Sequence, residues 1–293
     1  MKLRISHVTE YTYDTPVTDS VNEVRLSPCT NERQSCYQHG IFVEPNASLF
    51  SYEDYFGNRV HSFSVNTPHR KLTIRTNMTV VTSGAAVPGS HSAPSFPSKA
   101  AWQWLHKDEA QDRFAEYLLE TTYTTSTAGV MDFAGEDPAA QDDPPTVLAW
   151  LEALSTRIRE EFVYDPEATT VQTTVSDMIG TRRGVCQDFA HLMITICRAR
   201  QVPARYVSGY HFIGDLQGGR SDFRHASHAW VEAYVPGQGW HCFDPTNVDP
   251  VGERYVKLSH GRDYKDIVPV KGVYMGASGQ RLHVSVDVEN LDE

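Results

Sequence analysis

The chain has 293 residues, 40% of them hydrophobic and 22% charged, the balance of a globular protein with room for one large domain or two modest ones. Its net charge of −11 argues against the basic face that a nucleic-acid partner needs. No window approaches the roughly 18 consecutive apolar residues of a membrane span, and MKLRISHVTEYTYD lacks the apolar run of a secretory signal, so a cytoplasmic protein with no membrane partner is expected.

Residues 1–82 read as an antiparallel β-domain. Leu3, Ile5 and His7 alternate with polar neighbours, as do Tyr11 and Tyr13, and Val21 to Leu26, Ile41 to Val43 and Leu72 to Val81 add β-rich runs. The clearest hairpin is DYFGNRVHSFSV, where Gly57-Asn58 can supply the positive φ of a two-residue turn. Short strands separated by turn signals predict a small sandwich. No ionisable cluster in it suggests chemistry.

Residues 83–145 read as linker and connecting helix. SGAAVPGSHSAPSFPSKAA (Ser83 to Ala101) can bury little surface, Trp102 to Glu120 has helical spacing with Phe114, Tyr117 and Leu118 on one face, and GEDPAAQDDPP breaks the pattern again. The remainder, 146–293, reads as a second unit with a closing strand. TVLAWLEALSTRIREEF is an amphipathic helix through Val147, Leu148, Leu151, Leu154 and Ile158. A second helix begins at GVCQDFAHL and ends before Pro203; Phe189, Leu192, Met193, Ile196 and Cys197 form its apolar face. ARYVSGYHF is a strand, SHAWVEAYV and WHCFDPT form a hairpin around PGQG, and QRLHVSVDV is the last β-like run.

Cys186 falls in the first turn of the second helix. There the helix dipole and unpaired N–H groups favour a thiolate and can contribute to an oxyanion hole. A nucleophile also needs a base, and the base an orienting partner. The hairpin offers both. If Tyr234 faces Trp240, residue 246 lies opposite His228, with Asp244 on the adjacent diagonal and on the same sheet face. Diagonal neighbours about 7–8 Å apart are within reach of an imidazole and a carboxylate. Cys186, His228 and Asp244 thus have the logic of a Cys-His-Asp triad.

At these residues a resemblance appears. FVYDPEATTVQTT, GVCQDFAHL, PARYVSGY and SHAWVEAYVPGQGWHCFDPT, in that order, resemble the bacterial transglutaminase-like superfamily, whose members are often described as cysteine proteases. The β region, the linker and the end segment GRDYKDIVPVKGVY are similar to one bacterial branch of it. The resemblance is loose over the whole chain and specific from about Thr146 to Asp249. It implies an α+β fold: an N-terminal antiparallel β-sandwich plus a papain-like core in which a helix bearing the cysteine packs on an antiparallel sheet. It also implies Cys186 as nucleophile, His228 as base and Asp244 as its orienter. The reactions it implies are acyl transfer to a primary amine, amide hydrolysis or peptide cleavage on a protein or peptide substrate, with no cofactor. The alternative from another class is a catalytically silent fold acting as a protein-binding module.

Other residues are open at this stage. Gln187, Tyr164 and Trp230 are candidate oxyanion or pocket residues. The glutamine that papain-type enzymes carry shortly before their cysteine has no counterpart in IGTRRG. His225 and His241 are rival bases, although His241 has the wrong strand parity to face Asp244. His191 reads as a structural or exposed histidine, Asp188 as a helix-start residue, and Cys197 and Cys242 as packing. Five scattered cysteines with no C-x-x-C pair indicate neither a disulfide framework nor a zinc ribbon, and His225, His228, Asp244 and Cys186 fit no zinc ligand spacing.

Overall fold

The structure, a computed structural model, describes residues 1–84, 96–213 and 227–292. Most of the expected linker, 85–95, and His225 lie outside the described residues.

The N-terminal sheet is built around one long strand, β1 (Lys2–Val24), followed by β2 (Gln34–Glu44), β3 (Phe50–Glu53), β4 (Arg59–Val65) and β5 (His69–Thr82), in the order β2-β5-β1-β4-β3. The first half of β1 pairs with β5, from Lys2↔Val81 to Thr12↔Lys71, and the second half with β4, from Ser20↔Val65 to Val24↔His61. One strand thereby serves two half-sheets, and their apolar sides share a cluster that joins Leu3, Ile5, Leu72 and Ile74 to Val24, Phe63 and Val65. Strand alternation produces this: Leu3, Ile5, His7 and Thr9 are buried while Lys2 and Arg4 are exposed. The β3–β4 hairpin forms where expected, with a longer turn. Glu53 pairs with Arg59, and the Asp54 carboxylate accepts the Phe56 and Asn58 N–H groups at 3.0 and 2.9 Å. Only Gly57 carries the positive φ (79°), since the aspartate turn does the rest.

The expected connecting helix over Trp102 to Glu120 is broken into α1 (Ser98–Leu105), α2 (Asp108–Arg113) and a 3-10 turn, Ala115–Tyr117. The breaks let its aromatics reach different partners. Trp102 packs edge-on to Trp150 at 5.4 Å and donates from its indole to the Pro145 carbonyl, whereas Phe114 packs on Tyr234 at 4.3 Å. The chain continues through α3 (Ala128–Ala134), α4 (Val147–Glu161), β6 (Val163–Tyr164), α5 (Val175–Thr181), β7 (Arg183–Gly184) and α6 (Cys186–Ala199). A four-stranded antiparallel sheet follows, made of β8 (Ala204–His211), β9 (Ser227–Val235), β10 (Gly239–Phe243) and β11 (Tyr255–Gly261) in the order β10-β9-β8-β11.

α6 packs on one face of this sheet. Phe189, Leu192, Met193 and Ile196 share a core with Ala229, Val231 and Ala233 of β9. The one-sided apolar pattern underestimates its burial: every residue from Gln187 to Arg198 is buried. Its polar residues find partners inside. Arg198 donates to the carbonyls of Tyr117, Leu119, Ala204 and Arg262 and to the Thr124 hydroxyl, tying the connector to the core.

The closing strands leave the second unit, 146–293, to which the sequence assigns them. β12 (Val270–Met275) and β13 (Gln280–Asn290) both pair with β1, the latter from Leu3↔Asn290 to Tyr13↔Gln280. The edge of β1 opposite β5 is open, and Val286 and Val288 bury against the Leu3 and Ile5 cluster when β13 fills it. The N-terminal sheet therefore has seven strands, and the core's sheet ends at β11.

The two halves are joined at β11. Its outer edge is a row of backbone groups that a free strand would leave unpaired. Two side-chain amides of the N-terminal domain cap it. Gln34 exchanges two hydrogen bonds with the Lys257 backbone, both 2.8 Å, and Asn58 does the same with His260, also at 2.8 Å.

Candidate active site

The turn into α6 is set by local chemistry. Arg182 ends α5 in the left-handed region (φ 55°), and β7 then pairs in parallel with β6, Tyr164 opposite Gly184. Position 184 must be glycine, because a Cβ there would sit 2.9 Å from the Cβ and Oδ2 of Asp188. The Asp188 carboxylate accepts the Val185 N–H and the Thr169 hydroxyl, both at 2.8 Å. It is thereby a helix cap. Burial raises its pKa, against the lowering effect of those two bonds. The chain enters α6 at Cys186, which is half-buried and lines a cavity of about 300 Å³.

The hairpin has the expected register, Trp240↔Tyr234 through Phe243↔Val231. Alternation along β9 sends Ala229, Val231 and Ala233 toward α6 and His228, Trp230 and Glu232 to the other face. His228 is the second residue of β9 and lines the cavity together with Cys186, so its ring meets both Asp244 and the start of α6. Its Nε2 donates to Asp244 Oδ2 at 2.7 Å. The Cys186 thiol interacts with the same ring, which leaves Nδ1 as the nitrogen for the sulfur. Burial opposes charge on His228. The Asp244 carboxylate outweighs it, with a further contribution from Cys186, and the pKa of the imidazole is raised.

Asp244 is held from every side. Its Oδ1 accepts the N–H groups of Thr246 (2.8 Å) and Asn247 (3.2 Å), and its Oδ2 accepts the Asn247 side-chain amide (2.9 Å) and the Tyr255 hydroxyl (2.8 Å). Burial disfavours its charge, yet the His228 imidazolium and these donors hold its carboxyl well below the usual range. A second histidine, His211, stacks on Tyr255 at 4.2 Å and lies 5.6 Å from His228. Burial, and then the charge on His228, lower its pKa to about 4, so it stays neutral beside the charged ring.

The other candidates separate. Gln187 lines the cavity, and its side-chain amide donates to the Val171 carbonyl at 3.4 Å. Tyr164 lies beside the thiol; burial, then negative charge on Cys186 and Asp188, push its hydroxyl up to about 12. Trp230 is not in the cavity. It is 2% exposed and packs with Val207 and Tyr255, stacked 6.3 Å from the His228 ring on the far side of the sheet. Gly209, opposite His228 in register, admits the indole, since a Cβ there would meet Trp230 at 2.6 Å. His241 is buried on the α6 side of the sheet, away from Asp244. His191 is buried, not exposed: it stacks between Tyr123 and Tyr206 and accepts the Tyr264 N–H. Cys197 is fully buried. Among the described residues no three His, Cys, Asp or Glu side chains converge as metal ligands.

Three residues of this constellation escape sequence reasoning. Asn247 carries a faint signal, because Asp-Pro-Thr-Asn is an aspartate turn whose last side chain can fold back. Tyr255 and His211 carry none, since their place depends on β11 pairing with β8, Tyr255 opposite His211.

Residues 3–81 match the family profile described as the bacterial transglutaminase-like N-terminal region, and residues 137–245 match the transglutaminase-like superfamily. An uncharacterised Mycobacterium leprae protein is 35% identical over 291 residues, covering 99% of both chains. A protein-glutamine gamma-glutamyltransferase of Pseudomonas aeruginosa is 34% identical over 118 residues, which are 37% of this chain and 18% of that one. Among solved structures, a candidate cysteine protease from Cytophaga hutchinsonii superposes with a TM-score of 0.74 over 100% of this chain and 92% of its own, at 23% identity, and so shares the fold.

Proposed function

Starting from a chain that belongs to the bacterial transglutaminase-like superfamily, we propose that it is a cysteine acyltransferase or hydrolase acting on peptide or glutamine-type amides. The observation that carries this reading is the buried His228–Asp244 contact of 2.7 Å with the Cys186 thiol on the other side of the ring. The carboxylate fixes the tautomer and favours the imidazolium, which is what a thiolate beside it requires.

The sulfur of Cys186 attacks the amide carbonyl carbon. The oxyanion that forms faces the first N–H groups of α6, which have no intrahelical acceptor. Gln187, which lines the cavity, and Tyr164, whose hydroxyl feels the Cys186 charge, are the second-donor candidates. The C–N bond then breaks, and the leaving amine or ammonia takes its proton from His228. The enzyme is left as a thioester. Water or a primary amine gives its proton to His228, attacks the thioester carbon and expels the thiolate. Water yields the acid, and an amine yields a new amide.

A glutamine-containing peptide panel, incubated with and without a primary amine and read by mass spectrometry, tests this. Deamidation, chain cleavage or amine incorporation that requires Cys186 supports the reading. Intact peptides under all conditions, with Cys186 no more reactive than Cys29 or Cys36, would refute it and leave the silent binding module.

A further inference from the structure

The cavity in front of Cys186 is shared between the two halves of the molecule. Val185, Cys186, Gln187 and His228 line it from the core, while Tyr11, Leu282 and Val284 line it from the N-terminal sheet. The second wall has a simple origin. Odd positions of β1 and even positions of β13 lie on one sheet face, paired in register as Ile5↔Val288, His7↔Val286, Thr9↔Val284 and Tyr11↔Leu282. At one end this face is sealed: Ile5 is 0%, Val288 4% and Val286 7% exposed. At the other end the same apolar face runs out from under its cover, with Val284 45% and Leu282 56% exposed. Val268, Pro269 and Val270 continue the apolar surface.

An uncovered stretch of an otherwise buried face, opening onto a nucleophile, is a surface shaped for an apolar group. The lining agrees in its charges. Among the described residues no Asp, Glu, Lys or Arg lines the cavity. His7, at its floor, is bonded to Tyr210 and Thr9 and held neutral by burial, its pKa lowered to about 4. The charged side chains expected there are the Cys186–His228 pair, each already facing the other. A charged substrate side chain would lose its hydration without gaining a partner.

We propose that the β1–β13 wall is a side-chain subsite that receives an aliphatic or aromatic side chain of a peptide donor, on the residue adjoining the carbonyl that Cys186 attacks. The N-terminal domain then selects the substrate that the core transforms. This rests on the proposed role of Cys186 and deepens it.

The test uses the full chain and acetyl-amino-acid chloromethyl ketones carrying Leu, Phe, Asp or Lys. In each, the thiolate forms an S–C bond and chloride leaves, so no turnover is needed. Alkylation of Cys186 is followed by intact mass and peptide mapping and divided by the rate with iodoacetamide, which has no side chain. The Leu and Phe probes are expected to react about tenfold or more faster than the Asp and Lys probes, the value of burying one large apolar side chain. Leu282→Lys should abolish that advantage and speed the Asp probe, and Val284→Ser should narrow it, with melting temperatures near that of the parent. Equal normalised rates for all four probes, or a preference unchanged in both variants, would overturn the subsite. If the preference holds while every amide donor stays intact, the subsite stands and the acyl-transfer reading falls. A Cys186 that reacts with none of the probes overturns both.

Discussion

Two constellations of the same ingredients, a thiol, a carboxylate and a cation, draw on strand β9, through His228 in the one and Glu232 in the other. The first is Cys186 with His228 and Asp244. The second is Cys242 with Glu232, Arg205 and Lys257. Glu232 is gripped by Arg205 at 2.6 Å and Lys257 at 2.7 Å, and Cys242 Sγ lies 3.8 Å from its other oxygen and 3.1 Å from Arg33. Both carboxylates are held low by their cations against the cost of burial. The difference lies in what the thiol meets. Burial and the Glu232 charge push the Cys242 thiol up to about 12, Arg205 and Lys257 are engaged by the carboxylate, and the adjoining space is about 40 Å³. Cys186 stands at a helix start, faces a cation that can give up its proton, and opens on about 300 Å³. On the proposed function, a titratable partner and room for substrate are what set the first thiol apart from the second.

That contrast can be broken most severely at the thiols. Cys186→Ala should reduce turnover to background, while Cys242→Ala should leave kcat unchanged in a continuous amide-hydrolysis or amine-incorporation assay. Next in size come the partners of the first thiol. His228→Ala and Asp244→Asn should each lower kcat about 10²–10⁴-fold, the usual weight of a base and its orienter, with KM little altered. A stability loss with retained rate would make His228 structural.

Glu232→Gln should do the reverse. It leaves Arg205 and Lys257 without their counter-charge and should cost about 3–5 kcal/mol in a urea melt, as breaking a buried pair does, while alkylation of Cys186 continues. Smaller still is Asn58→Ala, which uncaps the His260 backbone on β11. One to three kcal/mol, roughly, is expected from leaving such groups unpaired, with the same kcat.

The smallest effect is one of pH. The folded pKa of His228 is raised, so the stability it contributes is fully present below about 6.5 and is lost as pH rises through that raised value. The folded pKa of Glu232 is lowered, so its contribution is present above its unfolded value and is lost only in acid. The stability gap between the parent and Asp244→Asn should therefore narrow from pH 7 to pH 10, and the gap for Glu232→Gln should not. A constant first gap would show that His228 is neutral at pH 7.

The His228–Asp244 pair is legible in the sequence because its geometry is local: a hairpin with a short turn fixes its own register and puts both on one sheet face. Cys186 is marked by its helix start and by the resemblance of its motif, and its meeting with the pair depends on α6 packing on β9. What surrounds them is not local. Tyr255 and His211 depend on β11 lying beside β8, and Trp230 falls behind the histidine because it shares His228's strand parity, which a reading by adjacency ignores. The polar side of α6 looks solvent-facing until the Tyr123 and Tyr264 segments cover it. β13 is recognisable as a strand, but its partner is the first strand of the chain, a pairing of widely separated residues that no local pattern encodes. For that reason the N-terminal wall of the cavity is invisible before the fold is known.

The central claim is that Cys186 carries the acyl group. Acid quenching of the full chain during turnover of a glutamine or peptide donor, followed by peptide mapping, tests it directly. The expected result is a hydroxylamine-labile acyl adduct on the peptide containing Cys186, present in the parent and absent in His228→Ala. Product release with no adduct at Cys186, or an adduct on Cys29, Cys36 or Cys242 instead, would contradict it.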